Sequence, residues 1–220
     1  MNARYDLLVF DWDGTLFDSI GWIVECLQHA ARETGMAVPA ETAARSVIGL
    51  SLHQAMQVLY PGSSDELARQ LARHYSKLYH SRSTASLGLF EGVEDMLSAF
   101  REQGYQLAVA TGKARVGLDH ALNGTGVGGL FHATRCADET ASKPHPLMVH
   151  QLMEELGVAR ERTLLVGDSL HDLQMAHNAG VDVVAVACGA NTRSELAELN
   201  PLICLEKTAE LLMLFDQETE

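Results

Sequence analysis

The sequence has no apolar run long enough to span a bilayer, and its start shows no basic segment followed by a cleavable apolar stretch. Those absences set the expectation of a cytoplasmic protein. Cysteine is sparse: Cys26, Cys136, Cys188 and Cys204 are widely scattered, without a Cys-x-x-Cys pair. That scatter offers neither a zinc site nor a disulfide frame and reads as free thiols. Positive charge is short as well, since 16 Lys and Arg against 29 Asp and Glu leave a formal net charge of −13. So acidic a chain argues against nucleic acid or an anionic membrane as partner. It leaves room for a phosphorylated small molecule, because a local cluster of lysines with a metal ion overrides the global field. Internal repeats and low-complexity segments are also absent. What is present is 220 residues of ordinary apolar content, enough for one substantial core or a core plus a smaller insert.

From about residue 88 onward, strand and helix patterns alternate. Residues 91–103 carry apolar positions at helical spacing and stop at Gly104. A strand follows over 105–110, then Thr111-Gly112-Lys113 and a helix over 114–122. The spacing next predicts a strand over 130–136, a helix over 144–156 opened by Pro144, and a short strand over 163–166. A helix over 170–178, a strand over 181–187, a short strand over 202–205 and a helix over 208–215 complete the pattern. Such β-α repetition implies an α/β fold with a parallel sheet covered on both faces.

Residues 18–87 are different in kind, being rich in Ala, Leu, Gln and Arg and nearly free of strand signals. Helical patterns fit 20–33, 40–48, 52–59 and 64–79, divided by Gly35, Gly49 and Pro61-Gly62. An all-helical block at that point reads as a lid inserted beside a site, in preference to helices that merely cover one sheet face.

The block follows the most informative segment of the chain, Leu7-Leu8-Val9-Phe10-Asp11-Trp12-Asp13-Gly14-Thr15-Leu16. Four apolar strand formers running into acid-x-acid-Gly-Thr read as a buried strand that ends at a tight turn. A parallel strand ending so abruptly delivers its last side chains to the carboxyl edge of the sheet, where α/β proteins place their sites. Alternation lets Asp11 and Asp13 point to one side, and two anions so close need a cation, a shared proton or separate duties. Thr111-Gly112-Lys113 adds a hydroxyl, a small residue permitting close backbone approach, and the exposed amides of a helix start, which favour an anion. Lys143 adds a compact positive charge, and Asp168 and Asp172 sit at a strand end and one turn into the next helix, where both can face one point. Three or four carboxylates with few nitrogen or sulfur donors suit Mg²⁺, which shares its coordination with water and phosphate. The whole set is what phosphoryl transfer requires: positioning plus stabilisation of the equatorial oxygens.

Asp11-x-Asp13-Gly-Thr-Leu, Thr111, Lys143 and Gly167-Asp168-Ser169-x-x-Asp172 resemble, in order, the four motifs of the haloacid dehalogenase-like hydrolases. The spacing and Val47-Ile48-Gly49 are most similar to the phosphoglycolate phosphatase-like branch. The resemblance implies a Rossmann-like core over residues 1–17 and 88–220, with a helical cap over 18–87. It implies that Asp11 is the nucleophile that forms an aspartyl-phosphate and that Asp13 is the acid/base, whose backbone carbonyl completes a Mg²⁺ shell with Asp11 and Asp168. Asp172 then holds metal-bound water or orients Lys143, while Thr111, Gly112 and Lys143 bind the phosphoryl group. The expected activity is phosphatase action on a small phosphorylated metabolite, such as phosphoglycolate or a sugar phosphate. A sugar phosphomutase of the same fold is the alternative, and a non-catalytic binding module the second. Trp12 is bulkier than usual between the two aspartates and is expected to pack behind the site. Arg45, three residues before Ile48-Gly49, is the cap residue expected to meet a second anionic group of the substrate. Lys113 and Arg115 read as solvated charges at a helix start, His145 as a loop residue, and His171 as a position that varies in kind.

Overall fold

The long apolar run of the first strand demands burial on both faces, and the fold supplies it. The computed structural model describes residues 4–81 and 87–216. Strand β1 (Leu7–Phe10) is followed by helices α1 (Ile20–Glu33), α2 (Glu41–Ser46), α3 (Leu52–Leu59) and α4 (Asp65–Tyr79). Then come α5 (Val93–Glu102), β2 (Gln106–Thr111), α6 (Arg115–Thr125), β3 (Ala133–Cys136) and α7 (Leu147–Leu156). The chain continues through β4 (Thr163–Gly167), α8 (Leu170–Ala179), β5 (Asp182–Val186), α9 (Arg193–Ala197), β6 (Ile203–Leu205) and α10 (Leu211–Asp216). The six strands form one parallel sheet in the order β3-β2-β1-β4-β5-β6. The chain thus builds outward from β1 in one direction and then in the other. The change of direction beside β1 opens a crevice at the carboxyl edge of the sheet.

The pleat of β1 divides the core into two layers. Leu8 and Phe10 join Val109, Val166, Leu97, Phe100 and Phe215 on one face. Leu7 and Val9 join Ala108, Leu165, Val149, Leu152 and Leu173 on the other. Trp12 is fully buried in the first layer and stacks on Phe17 at 5.8 Å between ring centres, as expected of a residue packing behind the edge. Helices α1–α4 bury a third cluster largely of their own, including Ile23, Leu27, Val47, Met56, Tyr60 and Leu71. Among the described residues of the sheet-bearing part, only Ala190 belongs to it.

Element boundaries depart from the sequence expectations in a few places. The third strand starts at Ala133 rather than near 130, because Val127–Leu130, with two internal glycines, forms a 3₁₀ turn. Helix α7 starts at Leu147 rather than at Pro144. The backbone turns back from His145 to Ser142, and the His145 ring accepts the Leu147 N–H, so the first residues after Lys143 stay in the loop. The short helix α9, nucleated by a Thr192–Glu195 capping box, was not anticipated. Residues 82–86 of the expected cap lie outside the described residues.

Candidate active site

The backbone places the acids before any side-chain contact is considered. Phe10 is level with Val109 of β2 and Val166 of β4, and the Asp11 N–H donates to the Val166 carbonyl at 3.0 Å. Asp11 therefore leaves the sheet beside Thr111, the last residue of β2, and close to Asp168, the first residue after β4. Gly14 turns the chain away at a φ of +81°, where a Cβ would sit 2.3 Å from Asp168 Oδ2. Glycine is needed there both for the backbone angle and for room beside the carboxylate. The next residue, Thr15, donates its hydroxyl to Asp168 Oδ1 at 2.6 Å, and the Ala190 N–H donates to Oδ2 at 2.7 Å.

Asp11, Asp168 and Asp172 are all buried and present carboxylate oxygens within 4.8 Å of one another. Lys143 lies fully buried among them, with Nζ 2.6 Å from Asp11 Oδ1 and 2.6 Å from Asp172 Oδ1. Asp172 is also built into its helix, since its Oδ2 accepts the Ser169 N–H and hydroxyl in a capping box at the start of α8. Its one free direction is thereby aimed at Lys143. Burial alone would pull the Lys143 ammonium down, but Asp11 and Asp172 outweigh it and hold the group above the ordinary lysine range. Burial pushes Asp11 well up; Lys143 opposes this, and Asp172 and Asp168 reinforce it. Burial, followed by repulsion from Asp172, raises Asp168 to about 7. Three carboxylates facing one ammonium are short of positive charge in a place where water cannot screen them. An all-oxygen donor set with that deficit fits a hard divalent cation.

Asp13 points to different partners. Its Oδ1 accepts the Ser19 hydroxyl at 2.5 Å, which leaves α1 without a side-chain cap from Ser19. Its Oδ2 lies 2.9 Å from Lys113 Nζ, and this pair is mostly buried, at 8 % and 11 % side-chain exposure. Lys113 also donates to the Tyr79 hydroxyl of α4 at 2.8 Å. Desolvation lowers the Lys113 ammonium, but Asp13 and Tyr79 hold it above the ordinary lysine range. The expectation of a solvated helix-start charge is therefore corrected for Lys113. Lys113 stands between Asp13 on one side and a tyrosine of the helical insert on the other, two partners distant from it in the chain. Arg115, by contrast, pairs with Glu139 and Asp119 outside the site.

A cavity of about 140 Å³ lies over Asp11 and Asp13. Its floor is Thr111, Gly112 and Lys113, and its roof includes Ile23, Leu27, Val47, Ile48, Tyr75 and Tyr79 from the helical insert. Lys143, Asp168 and Asp172 lie behind Asp11 and do not line it. Gly112 owes its size to the insert: a Cβ there would lie 2.5 Å from the Gly49 carbonyl oxygen and 2.6 Å from that of Leu50. Further links join insert and sheet. Ser51 N–H donates to Ser142 Oγ at 2.8 Å, and His171 Nε2 donates to the Ser46 carbonyl at 3.0 Å. Arg45 makes a third such link. It pairs with Glu41 at 3.0 Å and donates to the Gly189 carbonyl at 3.3 Å, and it is not among the residues around the cavity.

Comparison with known proteins points to one family. Residues 8–186 match the profile of the haloacid dehalogenase-like hydrolase family. A protein from Dickeya dadantii described as the probable phosphatase IndB is 34 % identical over 94 % of this chain and 91 % of its own length. A phosphoglycolate phosphatase from Mannheimia succiniciproducens is 29 % identical over 96 % of this chain and 99 % of its own. A crystal structure of a haloacid dehalogenase-like hydrolase from Bacteroides fragilis superposes with a TM-score of 0.87 at 23 % identity, covering 94 % of this chain and all of that one.

Proposed function

The chain belongs to the haloacid dehalogenase-like hydrolases, and on that footing we propose that it is a Mg²⁺-dependent phosphatase of small phosphorylated metabolites. The carrying observation is the buried group of Asp11, Asp168 and Asp172 within 4.8 Å, with Lys143 bridging Asp11 and Asp172 and with Asp11 opening into the cavity. Asp11, Asp168, the backbone carbonyl of Asp13 and, through its own oxygens or water, Asp172 would hold the Mg²⁺. Such a cation would supply charge neutralisation, which favours attack by an anion. Thr111, the Gly112 amide and Lys143 take the remaining phosphoryl oxygens.

The Asp11 carboxylate attacks phosphorus in line with the departing alcohol, and Asp13, acting from its protonated form, delivers a proton to the leaving oxygen. Asp13, now a carboxylate, takes a proton from water as that water attacks phosphorus, releasing phosphate and restoring Asp11. The split of partners favours this division of labour. Asp11 is tied to Lys143 and the acid cluster, whereas Asp13 is tied to Ser19 and Lys113 at the alcohol side of the cavity. In this reading residues 18–87 are the cap, and residues 1–17 and 88–220 the catalytic core. Arg45 serves as a latch between cap and core, in place of the substrate contact expected for it.

Phosphate release from a p-nitrophenyl ester with and without Mg²⁺, and with Asp11→Asn, tests the proposal. Metal-dependent turnover that vanishes in Asp11→Asn, with phosphate trapped on Asp11 in the unmodified protein, supports it. Metal-independent turnover, or trapping on another residue, overturns it. Hydrolysis is favoured over phosphomutase action by the roof, which among the described residues brings no Arg or Lys to the cavity to hold the second phosphate of a bisphosphate.

A further inference from the structure

The same roof constrains the alcohol half of the substrate, an inference that rests on the phosphatase reading above. Among the described residues of the helical insert, Arg32, Arg69, Arg73 and Lys77 are exposed, and Arg45 is engaged with Glu41 and Gly189. None of them lines the cavity. Its one lysine, Lys113, is already held between Asp13 and Tyr79. His80 stands exposed at the mouth, its ring against those of Tyr79 and His120. The insert's side of the cavity is bounded mainly by Ile23, Leu27, Leu52 and the stacked rings of Tyr75 and Tyr79, which lie 5.6 Å apart and 16° from parallel, with Ser76 as a neutral polar neighbour.

A carboxylate or second phosphate placed against those groups would lose its water without gaining a cation. The space is small too. At about 140 Å³, it compares with the roughly 150 Å³ apolar cavity that accepts benzene in an engineered protein core, and its Asp11 end must also take the phosphoryl group. We infer that the substrate is the phosphate monoester of a compact, uncharged, largely apolar alcohol, a single ring or a short hydrocarbon chain, seated against Tyr75 and Tyr79. Glycolate, with its carboxylate, and a diphosphate both fall outside that class.

Two measurements on the full-length protein with Mg²⁺ test it. Initial rates are compared for phenyl phosphate, n-butyl phosphate, 2-phosphoglycolate and pyrophosphate, with acetyl phosphate as a control whose leaving group barely reaches the roof. Calorimetry compares phenylphosphonate with phosphonoacetate, which reads the preference without turnover. The expected result is kcat/KM at least about tenfold higher for the two apolar esters than for 2-phosphoglycolate, a ratio typical of one well-matched apolar contact, with tighter binding of phenylphosphonate. Leu52→Lys, a half-buried residue at the start of α3, is expected to shift that ratio toward 2-phosphoglycolate. Preference for 2-phosphoglycolate or pyrophosphate, with acetyl phosphate still hydrolysed, overturns the substrate class and leaves the phosphatase reading standing. Failure to hydrolyse any compound, acetyl phosphate included, overturns both. Should Leu52→Lys not fold, the unmodified protein's rates and affinities decide alone.

Discussion

Replacing Lys113 by Met isolates the contact that sequence reasoning assigned to solvent. The substitution keeps most of the aliphatic stem and deletes the ammonium 2.9 Å from Asp13 Oδ2 and 2.8 Å from the Tyr79 hydroxyl. Removing one partner of a buried ion pair costs about 3–5 kcal/mol, because the other charge stays behind without compensation. Asp13 keeps the Ser19 hydroxyl, so the lower end of that range, about 3 kcal/mol, is expected. With a urea dependence of about 2 kcal/mol per M for a chain of this size, the unfolding midpoint should fall by about 1.5 M. The sign with pH is fixed by the raised lysine: its stabilisation is complete below the ordinary lysine range and is lost only as pH rises through the higher native value. Measurements at pH 7 therefore read the whole contribution. In an Asp13→Asn background the same substitution should cost about 1 kcal/mol or less, since no anion is left stranded. Urea unfolding of the four proteins in the double-mutant cycle supplies the coupling. Equal losses in both backgrounds would refute the claim that Asp13 holds Lys113 in place.

Other consequences can be checked separately. Asp13→Asn should lower kcat by about 10²–10⁴-fold for alkyl phosphates, the usual reach of acid–base catalysis, and by less for p-nitrophenyl phosphate; equal losses would remove the acid role. Asp168, raised to about 7 from 3.8, binds its proton more tightly in the native than in the unfolded protein. Metal-free protein should accordingly lose stability as pH rises through that interval, and Mg²⁺ should raise the melting temperature more at pH 8 than at pH 5. The idea fails if chelation has the same effect at both. Gly112→Ala forces a methyl group onto the Gly49 and Leu50 carbonyls and should destabilise by about 1–3 kcal/mol, as overpacking does. An unchanged melting temperature and KM would show that the insert does not rest on this glycine.

Much of this was legible because the signals are local. The change from apolar run to paired acids gave the end of β1, and the four-residue spacing of Asp168 and Asp172 gave two carboxylates facing one point, of which Asp172 meets Lys143. Helices α1 and α3 were predicted with the ends they have in the structure, since glycines and strong periodicity mark them. What stayed hidden depends on residues distant in the chain. Nothing near Lys113 announces Tyr79, and nothing near Arg45 announces the Gly189 carbonyl. Thr15 and the Ala190 N–H, which orient Asp168, were missed for the same reason. Gly112 was expected to be small for the sake of a bound anion. The structure adds a different cause, the backbone of the helical insert pressing on it.

The central pairing of β1 with β4 also bears on how the protein comes into being. Thr15 and Asp168, which touch at 2.6 Å, are 153 residues apart in the chain. A growing polypeptide therefore carries Asp11 and Asp13 long before Lys143, Asp168 and Asp172 have been synthesised. Until β4 docks, one whole edge of β1 lacks its partner, and an open apolar strand edge invites pairing with other chains. Closing a loop of that length adds little to the equilibrium cost but slows the search for the native pairing. Fragments that end before β4 should therefore be both inactive and prone to associate. During refolding, activity should return in a single late phase that coincides with the docking of β4.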